Sequence, residues 1–153
     1  MKVGDPIMRY KLMIELVPDG CWYSNLRTIL SKKQWDFLKA DAKRRANGKC
    51  MICGKKTDKL DAHEKWSYDR ENRMQKLEDI LAVCKDCHSV IHMERTQLMG
   101  DAERAEDHFM KVNNCSYVEM RKAMGIANEE HQKNNQVSEW LLDLSYLKRF
   151  AKD

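Results

Sequence analysis

Four of the six cysteines stand in two C-x2-C pairs, Cys50-Met-Ile-Cys53 and Cys84-Lys-Asp-Cys87, with residues 54–83 between them. A C-x2-C turn sets two thiolates on one side of a knuckle, a spacing that suits a tetrahedral ion. Two knuckles complete a four-sulfur zinc site. Gly54 suits the tight turn after the first pair. A redox C-x-x-C needs only one pair, so the expected cofactor is a structural Zn2+. Cys21 and Cys115 read as ordinary buried thiols. Two histidines follow the last cysteine of the set, in Cys87-His88-Ser-Val-Ile-His92. On a helix, positions four apart share a face about 6 Å apart, so His88 and His92 can hold a second, divalent ion. His63, followed by Glu64, closes a short strand candidate. In a two-strand-plus-helix unit a strand end faces the first turns of the helix, which brings His63 and Glu64 to His88 and His92. His108 and His131 read as surface residues.

Positioning these groups requires particular elements. Leu60–Glu64 reads as a strand, Trp66–Glu78 as polar and irregular, and Ile80–Val83 as a buried strand running into the second knuckle. Asp86 to about Leu98 reads as a helix stopped by Gly100. Upstream, residues 9–17 read as a strand ended by Pro18-Asp19-Gly20. Ser31 with Gln34 forms a capping box, and Trp35, Leu38 and Ala42 recur at helical spacing until Asn47-Gly48. Downstream, helices are expected near 101–112, 117–133 and 138–150. Ser116 with Glu119 caps the second of these, and Trp140, Leu141, Leu144 and Leu147 form an apolar face on the third. The expected organisation is therefore 1–48 as a strand, turn and basic helix, 49–99 as the zinc core, and 100–153 as helices packing on that core or offered to a protein partner. A monomer whose last helix closes its own core is the favoured state.

The pattern from Cys50 to His92 resembles the HNH endonuclease family, in the subset stapled by four cysteines. That subset carries C-x2-C, a strand ending in a His pair or Asp-His, an Asn, and then a C-x2-C-H knuckle. Cys21–Arg27, His63-Glu-Lys-Trp66 and Met110-Lys-Val-Asn113 also look like a subgroup of small phage and bacterial HNH proteins. The resemblance implies an α+β, mainly helical chain: a zinc-stapled, treble-clef-like ββα-metal core with flanking helices. It further implies metal-dependent hydrolysis of nucleic-acid phosphodiester bonds, with double-stranded DNA the favoured substrate. His88 and His92 would hold the ion, which could be Mg2+, Mn2+, Ni2+ or Zn2+, and His63 or Glu64 would be the general base. Two positions depart from the pattern. Asp79 stands where the family has Asn. At the strand end, parity puts His63 at the ligand position and Glu64 at the base position, whereas chemistry makes the imidazole the better base. These departures leave an alternative: a catalytically silent HNH scaffold that binds nucleic acid or inhibits a protein partner, for example a phage protein acting on a host enzyme.

Composition bounds the rest. Charged residues make up 34% of the 153, more than the roughly 25% of an average domain. The net charge is only +4, yet residues 32–59 hold ten basic and three acidic side chains. Lys39, Lys43, Arg44, Arg45, Lys49, Lys55 and Lys56 of this stripe are the candidate nucleic-acid contacts. No apolar run approaches the ~20 residues of a membrane span. Met1–Met13 carries no apolar leader, so a cytoplasmic protein of a bacterial or phage-infected cell is expected. Six glycines, two prolines and no repeat exclude collagen-like, low-complexity and solenoid classes.

Overall fold

The computed structural model describes residues 10–151. A 3-10 turn at Asp19–Cys21 leads to α1 (Leu26–Ile29) and α2 (Lys32–Ala46). Next come β1 (Leu60–Asp69), β2 (Met74–Cys84), α3 (Lys85–Ile91), α4 (Met93–Leu98), α5 (Ala102–Asn113), α6 (Tyr117–Asn134), β3 (Leu141–Asp143) and a 3-10 helix, Ser145–Phe150. The chain is α+β. The sheet order is β1-β2-β3, with β1 antiparallel to β2 and β3 parallel to it. No helix among the described residues is long and apolar enough to cross a membrane.

Local sequence explains most helix boundaries. Ser31 and Gln34 form the reciprocal capping box that starts α2, and Asn47 ends it in the left-handed region. Ser116 and Glu119 start α6 in the same way. Trp35, Leu38 and Ala42 turn one face of α2 onto the hairpin. Into the same core β2 sends Leu77, Ile80 and Val83, α3 sends Val90 and Ile91, α5 sends Phe109, and α6 sends Met120. These side chains are almost fully buried, and burying each contributes about 1.5–3 kcal/mol against the entropy of ordering the chain.

Five expectations are corrected. The hairpin does not lapse into an irregular loop after Glu64. The ladder continues to Asp69 opposite Met74, with a bulge between Lys65 and Trp66. Its polar character reflects a half-exposed sheet, which needs apolar residues on one face only. Of the expected 9–17 strand, residue 9 lies outside the described residues and residues 10–17 join no strand. Glu15 N–H donates to the Ile91 carbonyl at 3.0 Å. The Asn113 amide closes both backbone groups of Leu12, at 3.0 and 2.8 Å, and His131 Nε2 donates to the Val17 carbonyl at 3.0 Å. Side chains of α5 and α6 thus do the work of a neighbouring strand. His131 is therefore not a free surface residue.

The expected 86–98 helix breaks at His92, whose φ/ψ of −97°/52° separates α3 from α4. Thr96 Oγ1 fills the break, donating toward the Ser89 carbonyl at 2.6 Å. The expected 138–150 helix is instead β3 followed by a 3-10 helix. Leu141 N–H donates to the Arg73 carbonyl at 2.7 Å, and Trp140 packs edge-on against Tyr68. A free edge on β2 outweighs the short apolar periodicity. Tyr146 still reaches the core, while Leu141 and Leu142 stay exposed.

Candidate metal centres

The Sγ atoms of Cys50, Cys53, Cys84 and Cys87 lie within 4.8 Å of one another. Two local devices build this cluster. In the first knuckle, Cys50 Sγ accepts the N–H groups of Ile52 and Cys53 at 3.4 and 3.5 Å, and Gly54 turns the chain at φ 80°. In the second, Cys84 caps α3 by accepting the Cys87 N–H at 3.5 Å. A bond from Met51 N–H to the Ala82 carbonyl, 3.0 Å, ties the first knuckle to β2 just before the second. Four soft donors with no competing ligand type fit a tetrahedral zinc. A hydrogen bond from Cys87 favours the Cys50 thiolate, which then pushes Cys87 upward, and burial pushes Cys84 upward. A bound dication removes that mutual repulsion. His108, expected at the surface, sits with Nε2 3.3 Å from Cys87 Sγ. Nothing in its local sequence signals this contact, because α5 is brought there by tertiary packing.

The second cluster is the one sought from His63, His88 and His92. One ring nitrogen of each lies within 4.8 Å of the others. The ring centroids are 4.7 Å apart for His88–His92, 5.6 Å for His63–His92 and 5.9 Å for His63–His88. The register explains the convergence. Leu60 pairs with Cys84, where α3 begins, so β1 runs away from the helix start and His63 stands one turn in. His88 and His92 keep their one-turn separation despite the break.

Each half of the cluster carries a carboxylate that the sequence reading did not single out. His88 Nδ1 lies 3.0 Å from Asp61 Oδ2, and Asp61 also pairs with Lys85. His63 Nε2 lies 3.1 Å from Glu15 Oε1. Asp61 could have been found, since two residues before His63 on a strand means the same face. Glu15 could not, being 48 positions away on the segment that α3 and α5 hold in place. Burial favours raising the Asp61 carboxyl, but Lys85 and His88 hold it below its ordinary value. His92 falls to about 4 through burial and the neighbouring imidazoles, and burial also lowers His88. At neutral pH these rings are uncharged, the form that binds a metal. Asp61 fixes the tautomer of His88 and leaves Nε2 for an ion, a carboxylate–imidazole pairing typical of metal sites. Asp61→Ala is expected to weaken ion binding at the histidine cluster about 10- to 100-fold, read by calorimetric titration with Mn2+ or Zn2+. The zinc content of the cysteine cluster should not change.

The same shift sets a pH dependence. The unfolded chain takes up a proton on His92 below about pH 6.5, which the folded chain resists down to about pH 4. The contribution is complete above 6.5 and is lost as pH falls toward 4. With the histidine cluster metal-free, the protein should lose about 2 kcal/mol between pH 7 and pH 5 relative to His92→Phe. Denaturant midpoints at the two pH values check this.

Not every expected residue joins the cluster. Glu64 Oε1 accepts the Leu26 N–H at 2.7 Å, and burial raises its carboxyl above the ordinary value. Asp79 accepts from the Tyr146 hydroxyl at 2.9 Å and lies 3.9 Å from Arg45, with no hydrogen bond or ion pair to any of the three imidazoles. Its pairing is with the C-terminal 3-10 helix. In the basic stripe, Lys39 pairs with Asp36, and Arg44 and Arg45 pair with Asp41. Arg45 also donates to the Ile80 carbonyl at 2.8 Å, so it fastens α2 to β2. Lys43, Lys49, Lys55 and Lys56 make no ion pair among the described residues.

A cavity of about 800 Å³ opens at the histidine cluster. Its lining includes all three imidazoles and Glu64, and none of the seven stripe residues.

No family model matches the chain. No curated protein and no solved structure matches it either. The functional reading therefore rests on the two clusters and the cavity beside them.

Proposed function

We propose that the chain is a metal-dependent phosphodiesterase of the HNH type, cleaving nucleic acid at the histidine cluster. The observation that carries this reading is the convergence of His63, His88 and His92 on one point, with Asp61 orienting His88. In it, His63, His88 and His92 hold one divalent ion, and the four cysteines hold a structural zinc. When bound, the ion supplies charge stabilisation for a scissile phosphate and its leaving oxygen. The donor set favours Zn2+, Ni2+ or Mn2+ over Mg2+, because three imidazoles are poor partners for a hard cation.

The chain's own side chains supply the rest. His63 is committed to the ion and to Glu15, so the general base is assigned to Glu64. Its burial-raised carboxyl is better matched to taking a proton from water near neutral pH than an exposed glutamate. Glu15 and Asp61 orient the His63 and His88 rings through hydrogen bonds. Asp79 is assigned a structural part through Tyr146.

A second reading keeps one observation in its favour. One oxygen of Glu64 is already engaged by Leu26 N–H, as it would be in a silent scaffold that binds without cutting. A nicking assay separates the two. Supercoiled plasmid and single-stranded circular DNA are incubated with the zinc-loaded protein and added Mn2+, Ni2+, Zn2+ or Mg2+. Cleavage that needs the second ion and disappears in Glu64→Gln supports the enzyme. Ion binding without cleavage under any metal supports the scaffold.

A further inference from the structure

The sequence points to the basic stripe as the surface that holds a polyanion, but the cavity at the histidine cluster is lined by other residues. Two exposed arginines line it, Arg27 on α1 and Arg95 on α4. Neither makes an ion pair among the described residues. Arg27 lies within electrostatic reach of Glu64, and Arg95 of His92. Trp22, Tyr23 and Trp66 also line the cavity. Trp22 is 56% exposed and Tyr23 83%, and neither packs against another ring among the described residues, whereas Trp66 is half-buried against the core. Open ring faces in a concave site are of use to a base that has left its stack. A duplex keeps its base faces covered.

We infer that this cavity takes unpaired nucleotides: their bases stack on Trp22 and Tyr23, their phosphates meet Arg27 and Arg95, and the α2 stripe plays no part in holding them. The inference rests on the reading of the histidine cluster as a phosphodiester-cleaving site, and it changes the substrate from intact duplex to single-stranded or locally unpaired nucleic acid. Carboxylates line the cavity as well, but most are engaged. Glu15 faces His63, Glu64 accepts from Leu26, and Glu130 pairs with Arg70 at 2.7 Å. Glu94 is exposed at the rim. The cavity's acidic side chains outnumber its two arginines, so stacking and the bound ion must supply most of the affinity.

The test measures binding apart from cleavage, using the full chain loaded with zinc and Mn2+. Fluorescence anisotropy follows a short phosphorothioate oligodeoxynucleotide, which resists hydrolysis, as a single strand and annealed to its complement. The single strand should bind at least about ten-fold tighter. Its salt dependence should be shallow, a slope of about −1.4 in log K against log salt for two phosphate contacts. Contacts to Lys43, Lys49, Lys55 and Lys56 on duplex would give about −3.6. Trp22→Ala should cost roughly 5- to 150-fold for a lost stack, and Arg27→Ala with Arg95→Ala should flatten the slope. Equal or tighter duplex binding overturns the inference. So does loss of binding on neutralising the four lysines with none in Trp22→Ala, or no binding of either form. Single-strand binding that follows these variants, in a protein that cleaves nothing with any metal, upholds the cavity assignment and sinks the hydrolytic reading alone.

Discussion

Cys84→Ser is expected to abolish zinc binding and unfold the core. The side chain does three jobs at once. It is one of four clustered thiols, it caps α3 by accepting the Cys87 N–H, and its sulfur lies 3.7 Å from that of Cys53 on the other knuckle. Structural zinc contributes an apparent ~10–16 kcal/mol in small zinc peptides, whereas a domain of this kind has only about 5–15 kcal/mol of net stability. Losing the ion therefore removes the fold rather than loosening it. The histidine cluster goes with it, because His88 and His92 lie directly after the knuckle. Elemental analysis should show no tightly held zinc, and circular dichroism should show a cooperative transition lost or far below that of the native chain. Cys115→Ser is the control. That thiol lies outside the cluster, and its loss should leave zinc content unchanged. A folded Cys84→Ser protein with one full equivalent of zinc would refute the four-cysteine site.

His88→Ala is expected to give the largest functional loss with the smallest structural one. The residue sits half-buried on α3, and its side chain bonds only Asp61 among the described residues. Its removal should leave the secondary structure and the cysteine-bound zinc intact. The metal content of protein equilibrated with Zn2+ should fall from two ions to one. Phosphodiester cleavage should fall by at least about 100-fold, the upper end of what losing an outer partner of a ligand costs. Loss of a direct ligand exceeds this, since the ion is then displaced or mispositioned. Two measurements on one sample, metal stoichiometry and nicking rate, check it. Cleavage at the native rate would end the assignment of the chemistry to this cluster. An unchanged rate with one ion lost would mean that the histidine-bound metal is structural.

What could be read from the chain in advance was whatever depends on short separations. Cys50/Cys53 and Cys84/Cys87 announce a metal knuckle because the turn geometry is fixed within four residues. His88 and His92 share a face because one helical turn separates them, and this holds even though the helix breaks at His92. The capping boxes at Ser31 and Ser116 are local in the same sense. Where competition between alternatives decides, the reading faltered. Residues 66–78 carry too few apolar side chains to announce a strand, yet the backbone ladder forms because its partner lies alongside. Residues 141–143 have a helix-like apolar spacing, and the open edge of β2 captured them.

By itself, the sequence determined which donors exist and which pairs of them must be neighbours: two thiol knuckles, one imidazole pair and a histidine on a strand. Only the tertiary structure decided which distant groups complete the clusters. Glu15 reaches His63 because α3 and α5 hold its segment, His108 reaches Cys87 because α5 packs there, and Asp79 turns to Tyr146 rather than to the imidazoles. The physical reason is range. Backbone geometry fixes where a side chain lies relative to neighbours a few residues away. The partners of residues far apart in the chain depend on how the whole apolar core is shared out, and no local pattern encodes that.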